Sequence, residues 1–319
     1  MIFKSPAFSS SSSFDSDEFK IAQRRRWDNV AVGWKEWWET FETAAQKVSD
    51  RLVELAGIRP GQKVLDIATG IGEPAITVAT NLVNGSGSRT TDIRNNVGYV
   101  LATDISTQML TIAKQRALEL ELEDLIEFRE GDIESLELHD SSFDSVVCRW
   151  ALMFMRRLND TLSHIWRILI RGGRFVCAVW AEASKVPFIS IPLDIVISKL
   201  NVCPSPIGAP GPFLLADVSI LESALSNIGF VNIHTERLNV TFEFATAEDY
   251  VNYTKAVSST IKSILSKEPV KRQEEIWNKV REFIRNNYTG SGNSAANQPV
   301  RMHNECVCMT AKKPEQSQC

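Results

Sequence analysis

Three acidic residues each close a short apolar run: Asp66 in "KVLDIATGIGEPA", Asp104 in "VLATDIS" and Asp132 in "EGDIESL". The first is followed at once by Gly70 and Gly72. Glycines at those points let the chain turn tightly and let a ligand touch the backbone, and a following helix offers unpaired N–H groups to an anionic group. A carboxylate beside that turn is a poor neighbour for a pyrophosphate and a good one for a cation or an ammonium group. Asp104 is placed to accept two hydrogen bonds from a ribose diol. Asp132 is placed to accept from the exocyclic amine of an adenine, with Ile133 packing on the ring. The chemistry this describes is recognition of a positively charged nucleoside that carries no phosphate.

Such a set works only if the acids sit at neighbouring strand ends. The hydropathy pattern supplies the strands: apolar runs at 63–68, 99–105, 126–132, 143–150 and 174–180 alternate with helical segments at 74–83, 107–121 (capped by Ser106) and 158–170. Alternation of this kind predicts a largely parallel sheet with helices on both faces, a doubly wound α/β fold whose ligands bind beyond the carboxyl ends of the strands. Residues 17–57 show apolar residues at helical spacing and predict two or three helices closed by Gly57. After residue 181 the rhythm breaks into a Pro-rich cap segment at 182–228. A strand at 231–244, helices at 246–287 and a strand at 299–311 follow. The last two strands are expected to form a hairpin at the sheet edge, its connection enlarged into a helical cap.

The domain organisation expected is a disordered tail at 1–16, N-terminal helices at 17–57, a nucleoside-binding core at 58–181, a cap insertion at 182–228, closing strands with a helical insertion at 229–311 and a tail at 312–319. A composition of 44% hydrophobic and 23% charged residues is that of an ordinary globular chain. With a formal charge of −4 and scattered Lys and Arg, a phosphate backbone is not the expected partner. No run reaches the roughly 20 apolar residues of a membrane span. Six cysteines and no apolar leader predict a reducing, cytoplasmic setting. "ECVC" at 305–308 reads as buried strand thiols, and no metal site is expected.

Taken together, "VLDIATGIG", the acid in "VLATDIS", "EGDIESL" and "FDSVVCRWALMFM" resemble successive motifs of the class I S-adenosylmethionine-dependent methyltransferases. Ala68 stands where many members carry a first glycine and resembles the ubiquinone/menaquinone-biosynthesis branch. The likeness runs over about residues 20–181. It implies a Rossmann-like, seven-stranded, mostly parallel sheet with a C-terminal antiparallel hairpin, N-terminal helices and a helical cap. It also implies S-adenosylmethionine as cofactor, held by Asp66, Ala68, Gly70, Gly72, Asp104, Ile105, Asp132 and Ile133. Trp34 would be the N-terminal aromatic over the cofactor, although Trp27, Trp34, Trp37 and Trp38 read equally well as core. Arg149 and Trp150, at the end of the fourth strand, are the candidates on the substrate side, where the methyl acceptor is expected to be a small, partly apolar molecule. Glu73 reads first as a helix-dipole residue, and no histidine is forced into the crevice.

Two rivals share these features. A nicotinamide-dependent oxidoreductase has the same strand, turn and helix, but "GIGEPA" lacks the third glycine of G-x-G-x-x-G and Asp66 would repel a pyrophosphate. A non-catalytic S-adenosylmethionine-binding protein would keep the acids without turnover. The separation of Asp66 and Asp104 is nearly double the roughly 20 residues usual between a glycine turn and its ribose acid. The polar stretch 84–96 accounts for the excess as a surface insertion.

Overall fold

The computed structural model describes residues 13–86, 98–203, 206, 208–290 and 298–315. Two helices open it: α1 (Ser13–Asp28) and α2 (Ala31–Ala56). Helix α2 buries a stripe that includes Phe41, Ala45, Val48, Leu52 and Val53, and it ends at Gly57, whose φ of 63° makes the left-handed cap. The first helix begins at Ser13, inside the stretch 1–16 expected as a tail.

The core then alternates as the hydropathy pattern requires: β1 (Lys63–Ile67), α3 (Ala75–Ser86), β2 (Tyr99–Asp104), α4 (Thr107–Glu119), β3 (Ile126–Glu130), β4 (Phe143–Arg149), α5 (Leu158–Ile168) and β5 (Leu169–Trp180). The cap helices α6 (Pro187–Leu200) and α7 (Val218–Ile228) follow. Strand β6 (Val231–Phe244), helices α8 (Ala247–Val257), α9 (Ser259–Leu265) and α10 (Val270–Tyr288), and strand β7 (Val300–Lys312) complete the order.

The sheet has seven strands in the order β3-β2-β1-β4-β5-β7-β6. Strands β1 to β5 pair in parallel, while β7 runs antiparallel to both β5 and β6. Chain order reverses between β1 and β4, which opens a crevice beyond their carboxyl ends. Val64, Leu65 and Ile67 of β1 are buried because helices cover both sheet faces, and each such side chain contributes roughly 1.5–3 kcal/mol. Met109 N–H bonds the Ser106 hydroxyl at 3.1 Å, which starts α4 as the sequence predicts.

Three sequence expectations are corrected. Strand β5 begins at Leu169 rather than 174, so "RGGR" lies within an irregular strand; its pairing with β4 shifts register between Phe143 and Ser145. Strand β3 ends at Glu130, which puts Asp132 two residues beyond it. The insertion expected at 84–96 starts inside α3, which continues to Ser86. Residues 87–96 of that insertion and residue 97, together with residues 1–12, 204, 205, 207, 291–297 and 316–319, lie outside the described residues.

Candidate functional site

The loops after β1, β2, β3 and β4 converge on one cavity of about 910 Å³, closed from above by α1, α2, α6, α8 and α9. That is near the top of the roughly 300–1,000 Å³ range for small-molecule sites, which leaves room for a nucleoside and a second small molecule. Of the residues singled out by sequence, Trp34, Ala68, Gly70, Asp104, Ile105, Asp132, Ile133, Arg149 and Trp150 line it. Asp66 and Gly72 do not.

The turn after β1 explains the difference. Ala68 and Gly70 both have left-handed backbones, with φ of 55° and 58°, and Gly72 sits at 106°. A Cβ on Gly70 would meet nothing within 4 Å, so this glycine faces open space, as close approach of a ligand requires. A Cβ on Gly72 would lie 2.9 Å from Ile76 Cδ1, so this glycine serves helix packing. Asp66 points behind the turn: its Oδ2 accepts the Ala75 N–H at 3.0 Å at the head of α3, and its side chain is fully buried. The Thr69 hydroxyl, on a residue that lines the cavity, interacts with this carboxyl. Burial pushes the Asp66 carboxyl up to about 8.

Asp104 is spent partly on structure. Its Oδ2 accepts the Gly70 N–H at 2.9 Å and its Oδ1 accepts the Ser106 N–H at 2.8 Å. Each oxygen keeps a lone pair, which is the capacity a diol needs. Burial lifts this carboxyl to about 6, against the pull of the Ser106 and Gly70 amides. Asp132 is more fully engaged: Oδ1 accepts the Glu134 N–H at 2.9 Å, and Oδ2 pairs with Lys20 of α1 at 2.5 Å. Helix α1 is fastened over this end of the cavity at further points. Lys20 also reaches Glu134 at 3.2 Å, Arg24 pairs with Glu130 at 2.6 Å, and Asp28 accepts from the Ser106 hydroxyl at 2.6 Å.

The other end is aromatic. Trp150 stacks on Trp180 with centroids 4.3 Å apart, and Phe41 meets the edges of both Trp34 and Trp150. Arg149 forms a bidentate pair with Glu42 of α2, at 2.8 and 2.5 Å, and also donates to the Ser49 hydroxyl at 2.8 Å. Both partners are nearly inaccessible, with side chains 6% and 8% exposed. Burial alone would lower the Arg149 guanidinium, but Glu42, then Glu73 and Asp66, hold it above its ordinary value. Arg149, expected on the substrate side, lines the cavity and is engaged in a buried ion pair that fixes α2 to β4.

Sequence reasoning missed Glu42, Lys20 and Thr69. For Glu42 a signal existed: it lies on the buried stripe of α2 with Ala45, Ser49 and Leu52, and a carboxylate on an apolar face demands a partner. Lys20 carried no such mark, because its partner lies across the chain in a loop.

Comparison with known proteins agrees with this geometry. A family model described as a methyltransferase domain matches residues 81–177. The demethylmenaquinone methyltransferase of Symbiobacterium thermophilum is 32% identical over 155 residues, 49% of this chain and 51% of that protein. The ubiquinone/menaquinone biosynthesis C-methyltransferase UbiE of Brucella anthropi is 32% identical over 124 residues, 39% of this chain and 43% of that protein. The chain therefore spans about half the length of these curated relatives. Among solved structures, the YcgJ protein of Bacillus subtilis superposes with a TM-score of 0.52 at 17% identity, covering 85% of this chain and all of that one. The [4+2]-cyclase SpnF gives 0.50 at 19% identity, covering 86% and 83%. Residues 81–177 thus match a methyltransferase domain, and the chain is similar over about half its length to methyltransferases of quinone biosynthesis.

Proposed function

We propose that the protein binds S-adenosylmethionine in the acidic half of the cavity and transfers its methyl group to a small, partly apolar molecule in the aromatic half. The observation that carries this reading is the charge balance around the glycine turn. The carboxyls of Glu42 and Glu73 lie beside the guanidiniums of Arg149 and Arg116, and the Asp104 carboxyl, held by the Gly70 N–H, keeps a lone pair on each oxygen. Carboxyls flanking the turn suit a cationic, phosphate-free nucleoside and repel the pyrophosphate of a nicotinamide cofactor.

Asp104 and Asp132 would hold the sugar and base, with Ile105 and Ile133 against the ring, and Gly70 would leave the backbone open to contact. Bound there, the cofactor supplies an electrophilic methyl on a sulfonium. The chain's own work is alignment and exclusion of water: the stacked Trp150 and Trp180, with Phe41 and Trp34, form an apolar wall that orients the acceptor. The cap helices α6, α8 and α9 cover it. Because a structural neighbour is titled as a cyclase, the fold by itself does not choose the reaction. The acceptor class is inferred from the aromatic wall and from the names of the curated relatives, which act on quinone precursors according to those names.

Among the described residues no helix is long and apolar enough to cross a membrane. A reducing, cytoplasmic setting is part of the proposal, supported by the free thiols of Cys148, Cys177, Cys306 and Cys308 in the sheet interior. Turnover of methyl-labelled S-adenosylmethionine over a panel of phenols, quinols, amines and carboxylates tests the reading. Label should move to a ring-bearing acceptor, and transfer to tRNA alone would refute it.

A further inference from the structure

Each of the other carboxylates lining the cavity has both oxygens in close hydrogen bonds or ion pairs, with lone pairs to spare on Asp104. Glu42 is held by Arg149, Asp132 and Glu134 by Lys20, and Asp104 by two backbone amides. Glu73 is the exception. Its side chain is 4% exposed and lines the cavity. Glu73 Oε2 accepts the Thr77 hydroxyl at 2.6 Å, while Oε1 has only Arg116 Nη2 at 3.5 Å. That guanidinium is occupied elsewhere, donating to the Ile71 carbonyl at 2.6 Å and lying on the Trp38 ring at 4.3 Å.

We propose that Glu73 is the charge-specificity residue of the site: its half-paired carboxylate is the counter-charge for the sulfonium rather than for the α-ammonium both cofactor forms carry, so the protein prefers S-adenosylmethionine to the thioether S-adenosylhomocysteine. The proposal rests on the methyl-donor reading above. A half-paired carboxylate in a buried site attracts a cation strongly and a thioether hardly at all, because the Coulomb energy scales inversely with the local dielectric. The groups facing Glu73 leave that attraction available. Glu42 and Arg149 face Glu73 as a pair whose opposite charges largely cancel, and Arg116 is too distant for a good bond. Burial first, and the Glu42 charge second, raise Glu73 above the ordinary carboxylate range, so a cation bound beside it draws it back toward the charged form. The functional consequence is that the spent cofactor leaves readily while the fresh one is retained.

The test is calorimetric titration of the full chain, wild type and Glu73→Gln, with three probes: S-adenosylmethionine, S-adenosylhomocysteine, and sinefungin, which carries an amine in place of the sulfonium. Glu73→Gln should weaken the two cationic probes about tenfold and leave S-adenosylhomocysteine unchanged. Glu73→Asp, which keeps the charge, should retain the preference for the cations. An equal loss of all three probes in Glu73→Gln together with a lost preference in Glu73→Asp would overturn the proposal, as would no change in any. Failure of all three probes to bind the wild type would instead overturn the methyl-donor reading beneath it.

Discussion

Asp104 Oδ2 accepts the backbone N–H of Gly70 across 2.9 Å, so the acid at the tip of β2 and the glycine turn after β1 form one unit. The hydrogen bond sets the turn's shape and keeps the carboxylate facing the cavity. Binding and folding therefore share a residue here.

Replacing Asp104 with Ala should lower both properties together. Two backbone N–H groups lose their acceptor, which costs about 1–3 kcal/mol each when they stay buried. S-adenosylmethionine affinity should fall at least about tenfold from the lost diol contact alone. Denaturant unfolding and calorimetric titration of the same preparation check both, and unchanged affinity in a folded variant would contradict the assignment.

Ala68 adopts φ 55°, a conformation that is strained for any residue with a Cβ. Ala68→Gly should stabilise the protein by up to about 1 kcal/mol, the relief of strain being offset in part by the greater freedom of glycine in the unfolded chain. Urea denaturation reads the shift. Affinity for the nucleoside should stay as it was.

Burial raises Asp66 to about 8 and Asp104 to about 6, whereas in the unfolded chain both titrate near ~4. Between those values the folded state holds protons that the unfolded chain releases. Stability of the ligand-free protein should therefore fall as pH rises from about 4, by up to roughly 1.4 kcal/mol per pH unit for each carboxyl. The Asp104 contribution levels off near its folded value and that of Asp66 continues to about pH 8. Asp66→Asn should flatten the slope between pH 6 and 8. Chemical denaturation across that range measures it, and an unaltered slope would show that another group is responsible.

Glu42 and Arg149 are both enclosed, so removing one leaves the other charged and unpaired. Glu42→Ala should destabilise the protein by about 3–5 kcal/mol. The pair Glu42→Leu with Arg149→Met should be less damaging than either single change, because no isolated charge remains. A double-mutant cycle gives the coupling.

Much of this architecture was legible because it rests on local periodicity. The strand runs and the helical stripes at 31–56 and 107–119 each follow from the chain's own spacing, and Ser106 and Gly57 mark a helix start and a helix end. What was hidden depends on pairings between distant segments. Arg149 looked free for substrate because Glu42 lies 107 residues earlier. The partner of Asp132 was hidden because Lys20 sits on another helix. Asp66 was expected in the crevice, yet the turn tucks it under the head of α3, where Ala75 takes one oxygen. The start of β5 at Leu169 was masked by two glycines that usually break a strand.

The account stands or falls on which nucleoside the acids admit. Parallel calorimetric titrations of the wild-type chain with S-adenosylmethionine and with NAD decide it. S-adenosylmethionine should give saturable one-to-one heat and NAD none; saturable binding of NAD with silence from S-adenosylmethionine would contradict the reading of the site.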